Sequence, residues 1–197
     1  MSIRREHKVQ ERLERLLAEH PGVDPARGGP LDAPIVEGST LTRRTAVRLF
    51  EAALQSRLQD LEARRMKDEG RSYYTIGSSG HEANAVFGHL LRITDPALLH
   101  YRSGAFMAAR ARSGRGETPI FDTMLSFAAS AEDPISGGRH KVFGSRSLWV
   151  PPQTSTIASH LPKAAGLAFV IARLKRLGLP SPIPDDSIVY CSFGDAS

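Results

Sequence analysis

The sequence predicts an α/β domain that is rich in helices. Two observations indicate this class. Several segments between residues 40 and 177 carry apolar residues at helical spacing, and one short β-rich apolar run, residues 187–193, lies near the end. That run leads straight into Gly194 and Asp195. Helices that precede an apolar strand ending in a Gly-Asp turn are typical of a domain built around an α/β sheet.

The first 38 residues differ from the rest of the chain. Residues 1–20 place apolar side chains at helical spacing among many charges, which predicts a short amphipathic helix or a partly ordered extension. Residues 21–38 are rich in proline and glycine, so we expect a linker or an irregular arm there. The sequence therefore predicts an amino-terminal extension over 1–38 and one domain over 39–197.

Five helices are predicted in that domain. The first follows the candidate N-caps Thr40 and Thr42 and ends near Gly70. Its apolar residues form a single stripe, which consists of Val47, Leu49, Phe50, Leu54, Leu58 and Leu61. The other four helices are predicted over residues 83–91, 104–112, 119–129 and 159–177. Residues 130–156 show no period and are expected to form a long loop, which in a compact domain is usually functional or disordered.

Composition favours an ordinary globular protein of the cytoplasm. The hydrophobic fraction is 41% and the charged fraction 24%. The single cysteine, Cys191, cannot form an internal disulfide, and no apolar run is long enough to span a membrane. The net charge of +5 would suit an anionic partner, but arginines are interleaved with acidic residues along the chain. This pattern favours a solvated surface over nucleic-acid binding.

The run that ends in Gly194 and Asp195 is the first candidate for chemistry. A carboxylate directly after a strand lies at the carboxyl edge of a sheet, where open α/β folds bind ligands. The small Gly194 would let the backbone approach a diphosphate, and Asp195 could hold Mg²⁺ through its oxygens. An Asp in this position can equally cap the next helix.

Three further segments carry polar groups that suit an anion. Tyr101 and Arg102 follow a turn, and an Arg guanidinium binds phosphate through two hydrogen bonds, although a surface Arg beside a half-buried Tyr is the simpler interpretation. Residues 137–141 combine two glycines with Arg139, His140 and Lys141, which fits either an anion nest or a solvated basic loop. Residues 153–162 form a hydroxyl-rich turn that offers helix caps or ligand contacts.

The order of these segments resembles the alpha-subunit type of the decarboxylating first component of 2-oxo acid dehydrogenases, which depend on thiamine diphosphate. Four landmarks carry the resemblance. Gly-His-Glu-Ala at 80–83 looks like the family's helix start, and Tyr-Arg at 101–102 looks like its Tyr-Arg pair. Ser-Thr-Ile at 155–157, with Leu-Pro-Lys-Ala-Ala-Gly at 161–166, resembles its Ser-x-Leu…Ile-Pro-x-Ala-x-Gly segment. Phe-Gly-Asp at 193–195 resembles the opening of its cofactor motif.

The resemblance implies a helix-rich amino-terminal part of a thiamine-diphosphate-binding fold, with roles for particular residues. Tyr101 and Arg102 would contact the diphosphate, and Ser155 and Ile157 would present backbone groups to the aminopyrimidine ring. His140 is similar in placement to an active-site loop histidine. Two more residues have an implied role at the metal end of the cofactor, where Gly194 would lie close to the diphosphate and Asp195 would bind Mg²⁺.

The implied function is decarboxylation of a branched-chain or pyruvate-like 2-oxo acid on thiamine diphosphate, with transfer of the acyl group to lipoamide. The implied partners are a beta-type subunit or fused beta-type half and a lipoyl-bearing acyltransferase component, with no nucleic acid and no membrane. The closest type is the branched-chain, 2-oxoisovalerate enzyme of branched-chain amino acid catabolism. The pyruvate type has a histidine where this chain has Ile76.

Two departures from the family pattern concern the end of the sequence. Ala196 stands where the family has a second glycine, and the sequence ends at Ser197, before the family's Asn ligand and the beta-type half. We therefore expect an incomplete sheet and a fragment that is inactive alone and binds thiamine diphosphate weakly. The alternative is a non-catalytic helical module that pairs with a full subunit.

Overall fold

The computed structural model describes residues 5–20, 22, 28–114 and 116–195. The chain divides into two compact units, Met1–Arg48 and Leu49–Ser197. The described residues form a mixed α/β structure with six helices and two small two-stranded sheets. None of the helices in the described part is long and apolar enough to cross a membrane. Ala196 and Ser197, whose departure from the family pattern was noted above, lie outside the described residues.

The first unit contains helix α1, Arg5–Glu19, followed by an irregular segment that folds back on itself. Pro34 and Thr42 form an isolated antiparallel bridge. Arg44 Nε donates to Asp32 Oδ1 at 2.7 Å and closes the same turn. The irregular arm expected in this region is therefore held by its own hydrogen bonds.

Helix α2, Arg43–Asp68, begins at the predicted cap and ends two residues before Gly70. Thr42 Oγ1 accepts a hydrogen bond from Thr45 N at 3.2 Å, which satisfies one of the free donors at the helix start. The apolar stripe, however, is not the buried face: Phe50 is 67% exposed and Leu58 45%. The buried residues, apart from Met66, are small or polar. They are Ala52, Ser56, Gln59, Asp60, Ala63 and Met66.

The four later helices lie where helical spacing predicts them. They are α3 (Asn84–Leu90), α4 (Gly104–Ala111), α5 (Pro119–Phe127) and α6 (Leu161–Leu177). Pro162 occupies the first turn of α6, where a missing N–H costs nothing, and Gly178 ends that helix in the left-handed conformation.

Helix α4 forms the centre of the second unit, and every residue from Gly104 to Arg110 is buried. Helix α3 packs so closely on α4 that a Cβ atom on Gly88 would lie 2.5 Å from the Phe106 carbonyl oxygen. The Arg110 guanidinium is fully buried and donates to the backbone carbonyls of Leu148 and Asp95 at 2.8 and 2.6 Å. These charge-assisted bonds tie α4 to the segments around the strands.

Two short pairs of strands complete the second unit. Strand β1, Ala97–Leu98, pairs in parallel with β4, Tyr190–Cys191. Strand β2, Phe143–Ser145, pairs in antiparallel fashion with β3, Val150–Gln153. The strand predicted over 187–193 is confirmed at its centre. The loop predicted over 130–156 is wrong for the β2–β3 pair, because two prolines in β3 hide the strand signal.

Candidate functional site

The candidate site lies where β1 and β4 end. Leu98 pairs with Cys191 in the parallel register, so the two chains leave the sheet side by side. Ser192 N donates to Leu98 O at 3.1 Å, and His100 N donates to Ser192 Oγ at 2.9 Å. These bonds hold the segments after the two strands against each other, at the edge where open α/β folds place ligands.

An open pocket of about 780 Å³, here called the strand-end pocket, lies at this edge. Its lining includes residues that follow β1, residues that follow β4 and the start of α3. Five of the seven residues singled out from the sequence line it: Tyr101, Arg102, Ile157, Gly194 and Asp195. The Tyr-Arg pair and the terminal Gly-Asp pair, far apart in sequence, thus face one cavity.

Arg102 is held at the pocket by neighbours on both sides. Its Nη1 donates to the Gly77 carbonyl, and its guanidinium lies 5.2 Å from the centroid of the Tyr101 ring. Its backbone N–H donates to His100 Nδ1 at 3.3 Å. A guanidinium has five N–H donors in a planar fork, so one bond to Gly77 leaves this group able to bind an anionic oxygen.

Ser155 and His140 form a pair of their own, and neither is among the described residues that line the strand-end pocket. Ser155 N donates to His140 Nε2 at 3.0 Å, and Ser155 Oγ lies 3.1 Å from the same nitrogen. Because a backbone N–H can only donate, Nε2 is the acceptor and the neutral ring carries its proton on Nδ1. The pair fixes the turn that presents Ile157 to the pocket.

The anion nest considered for residues 137–141 does not form, because the backbone N–H groups of residues 137–140 already donate to other groups of the chain. Asp133 accepts hydrogen bonds from the backbone N–H groups of Ile135, Ser136 and Gly138, at 3.0 to 3.3 Å. A nest binds an anion through such N–H groups, and here a carboxylate of the chain itself already occupies them. Gly138 is required at its position, since a Cβ there would lie 2.3 Å from Ala129 backbone atoms.

Lys141 is a buried cation directly beneath the Tyr-Arg pair, and its side chain is only 2% exposed. Its Nζ donates to Tyr101 O at 2.7 Å and lies 3.7 Å from the centroid of the Phe143 ring. Burial lowers the pKa of Lys141 to about 7. The sequence does not indicate this contact, because Lys141 stands in a run of basic residues typical of a surface loop.

Two stacked imidazoles form another part of the pocket wall. His81 and His100 have ring centroids 4.5 Å apart and planes 10° apart, and both line the strand-end pocket. Burial, with nearby positive groups, lowers the pKa of His100 to about 4. Burial and the Arg102 guanidinium lower the pKa of His81. Both rings are therefore neutral at pH 7. The sequence indicates only that His81 lies in the predicted helix start at residues 80–83.

A third histidine supports the pocket from behind. His160, 2% exposed at the start of α6, lies with Nε2 2.7 Å from the Ser192 carbonyl oxygen. A carbonyl only accepts, so Nε2 carries the hydrogen. This bond ties α6 to the segment after β4, and thereby holds the backbone that leads to Gly194 and Asp195.

Cys191 gives the pocket a chemical probe. It is the single cysteine of the chain, it is half-buried, and it lines the strand-end pocket. Burial raises the pKa of the Cys191 thiol, so the group reacts slowly near neutral pH.

No family model matches the chain, and no curated protein matches it either.

Proposed function

We propose that the strand-end pocket binds thiamine diphosphate and that the chain is part of a 2-oxo acid dehydrogenase. The enzyme would decarboxylate a 2-oxo acid and pass the acyl group to lipoamide. The observation that carries the proposal is the meeting of Tyr101–Arg102 and Gly194–Asp195 at the ends of two parallel strands. The resemblance implies that Tyr101, Arg102 and Gly194 lie at the diphosphate and that Asp195 binds its Mg²⁺, which requires that both pairs face one cavity.

The residues of the pocket fit the diphosphate part of the cofactor. Arg102 supplies a cation, held in place by Gly77 O and the Tyr101 ring. Gly194 adds a stretch of backbone without a side chain, close to Asp195. A volume of about 780 Å³ lies within the range of cofactor sites. Ile157 would face the aminopyrimidine ring, with Ser155 and His140 fixing its turn from behind.

The magnesium ligands would be shared between the chain and the cofactor. No group of three His, Cys, Asp or Glu side chains able to hold a metal occurs among the described residues. Asp195 would thus be one ligand of several. Mg²⁺ commonly binds through one or two carboxylates and fills its other positions with phosphate oxygens and water. We therefore expect metal and diphosphate to bind together, and weakly.

The proposal also covers the cofactor's chemistry, the role of His140, the partner subunits and the substrate. When bound, thiamine diphosphate supplies the decarboxylation chemistry, and the chain orients it and excludes water. His140, proposed as the active-site loop histidine, would have to release Ser155 N–H before Nε2 could exchange a proton with a substrate. A beta-type subunit and a lipoyl-bearing acyltransferase would be the partners, and a branched-chain 2-oxo acid the substrate.

The test uses Cys191 as a reporter of pocket occupancy. The rate at which a maleimide modifies Cys191 is measured with thiamine diphosphate and Mg²⁺, with inorganic diphosphate, and with thiamine. We expect millimolar thiamine diphosphate or diphosphate to slow the modification, because both bring the anion that Arg102 binds. Thiamine lacks the diphosphate and is expected to have no effect.

Two arginine variants separate pocket binding from general charge effects. Arg102→Gln removes the cation at the pocket, and Arg176→Gln removes an exposed cation of α6. We expect the concentration that half-protects Cys191 to rise about tenfold in the first, because a hydrogen bond to a charged group is worth ~1.5–3 kcal/mol. The half-protecting concentration should not change in Arg176→Gln. Absence of protection, or equal protection in Arg102→Gln, contradicts the proposal.

A second candidate function is a non-catalytic module that pairs with another subunit. The exposed apolar stripe of α2 favours it, since Phe50 at 67% and Leu58 at 45% exposure leave large side chains in water. Size-exclusion chromatography with a beta-type subunit discriminates the two functions. A complex that forms without any protection of Cys191 by thiamine diphosphate would favour the module.

A further inference from the structure

We propose that His81 is a fixed hydrogen-bond donor to an anionic oxygen of the ligand in the strand-end pocket, and that Asn84 is the positioning residue that sets its tautomer. The inference rests on the proposed function, because it requires an anionic ligand in that pocket. It goes further by assigning a ligand contact to a histidine that has no ligand role in the sequence-based prediction.

The tautomer follows from one contact. Asn84 Nδ2 lies 3.2 Å from His81 Nδ1. An amide nitrogen donates and does not accept, so Nδ1 is the acceptor and holds a lone pair. A neutral imidazole carries one hydrogen, and that hydrogen must then be on Nε2. His81 therefore presents a single N–H from the far side of its ring.

The Asn84 amide is itself held by groups from two other elements. Its Nδ2 also donates to Ser103 Oγ at 3.2 Å, and Ser103, fully buried, lies 3.0 Å from Ser192 Oγ. On its other side, Tyr190 OH donates to Asn84 Oδ1 at 3.5 Å. With both ends of the amide engaged, Asn84 is kept in the orientation that directs Nδ2 at His81.

The imidazole plane is fixed as well. His81 stacks on His100 with planes 10° apart, which leaves the ring edge as its polar surface. His81 lines the same cavity as Arg102 and Asp195. An anionic oxygen bound by the Arg102 guanidinium would lie in the same cavity as His81. Two ligands carry such an oxygen, namely the diphosphate of the cofactor and the carboxylate of a 2-oxo acid.

The first experiment observes the tautomer directly in the full chain. Long-range ¹H–¹⁵N correlation spectra of ¹⁵N-histidine-labelled protein distinguish the two neutral forms. His81→Gln identifies the His81 signals among the seven histidines, and His89→Gln, on the exposed face of α3, is the matched control. We expect the Nε2–H form for His81. An Nδ1–H form would overturn the proposal without reference to any ligand.

The second experiment separates the two nitrogen positions by side-chain length. A Gln amide reaches the place of Nε2, whereas an Asn amide reaches only that of Nδ1. Inorganic diphosphate and 2-oxoisovalerate are titrated separately against wild type, His81→Gln, His81→Asn and His89→Gln. We expect His81→Asn to weaken one of the two ligands about tenfold, and His81→Gln to retain most of the affinity. The ligand that is weakened identifies the source of the oxygen.

The results distinguish failure of this inference from failure of the proposed function. If wild type binds diphosphate in a manner that depends on Arg102, yet His81→Asn binds both ligands as wild type does, the His81 contact is wrong and the function stands. If wild type binds neither ligand at millimolar concentration, both proposals fail together.

Discussion

Arg102 and Asp195 occupy equivalent places after two paired strands: Leu98 pairs with Cys191, and each of the two charged residues comes four positions later. The parallel register brings both to one edge, and both line the strand-end pocket. A cation and a carboxylate on one cavity would suit the proposed diphosphate with its Mg²⁺, because the carboxylate would bind the metal and the guanidinium would bind the phosphate.

If Asp195 is a ligand of Mg²⁺, Asp195→Asn should abolish the effect of Mg²⁺ on thiamine diphosphate binding. In wild type, Mg²⁺ should lower the concentration of thiamine diphosphate that half-protects Cys191 from modification. In the variant that effect should disappear, because a neutral amide is a weaker ligand for a hard cation. Asp185→Asn, which changes an exposed carboxylate paired with Lys175, is the control and should keep the Mg²⁺ effect. An undiminished Mg²⁺ effect in Asp195→Asn would remove the carboxylate from the metal site.

The close packing of α3 on α4 predicts opposite effects of two glycine substitutions. In Gly88→Ala the new Cβ would lie 2.5 Å from Phe106 O, and backbone must shift to admit it. We expect a loss of ~1–3 kcal/mol in the free energy of unfolding, as for other overpacked cores. In Gly166→Ala, on α6, the Cβ has no heavy atom within 4 Å. We expect a gain of about 0.4–1 kcal/mol there.

Urea denaturation followed by circular dichroism measures both changes. Because the two substitutions are chemically identical and both lie inside helices, their difference isolates the packing at Gly88. A stability of Gly88→Ala equal to that of Gly166→Ala would show that α3 does not contact α4 as described.

Helix positions followed from the sequence, but the buried face of α2 did not. Helix limits depend on local features, such as the Thr42 cap, and these are visible in a short window. Which face is buried depends on the partner. Ser56 lies against Gly104, where a Cβ would come within 2.5 Å of Ser56 Oγ, so the interface admits only small or polar groups. Val47, Phe50 and Leu58 are exposed instead, while Leu49 packs against the buried alanines of α3 and α4.

Because Phe50 is exposed and Ala63 is buried, charged substitutions at these two positions of α2 should have different effects. Phe50→Glu should change the free energy of unfolding by less than about 0.5 kcal/mol, as is usual for a surface position. Ala63→Glu should cost several kcal/mol, roughly 3 or more, because Ala63 is fully buried and an unpaired charge there is desolvated. Thermal and urea unfolding of both variants provide the measurement. A larger loss for Phe50→Glu would mean that the stripe is the packed face after all.

In the candidate site, too, some residues could be predicted from the sequence and others could not. Arg102 and Asp195 could be chosen from the sequence because each carries a charge at the end of a predicted turn or strand. The stacking of His81 and the burial of Lys141 could not be predicted, because they depend on residues distant in sequence: His100 stacks on His81, and Tyr101 O accepts from Lys141. Ser155 and His140 were chosen separately, and their pairing with each other depends on the path of the loop between them.

Lys141 allows a test of its burial through pH. Its pKa is lowered from 10.5 to about 7 in the folded protein, and in the unfolded chain it has its ordinary value. Between these two values the unfolded chain holds more protons than the folded protein. The free energy of unfolding contributed by this group therefore rises as the pH rises from about 7 to 10.5, and the cost of the buried charge is fully present below pH 7.

Lys141→Met removes the titrating group and keeps an apolar side chain of similar length. Relative to wild type, the variant should have the higher free energy of unfolding at pH 6, and this advantage should disappear by pH 10. The change should amount to a few kcal/mol, since each pKa unit corresponds to about 1.4 kcal/mol. It also loses the bond to Tyr101 O, which costs about 1 kcal/mol at any pH. Lys67→Met, at the exposed end of α2, is the control and should show no such trend. Urea unfolding at a series of pH values measures the difference, which cancels the other groups that titrate in both proteins. A difference that does not change with pH would mean that the Lys141 ammonium is reached by water, and that the Tyr101 carbonyl is not held by a buried amine.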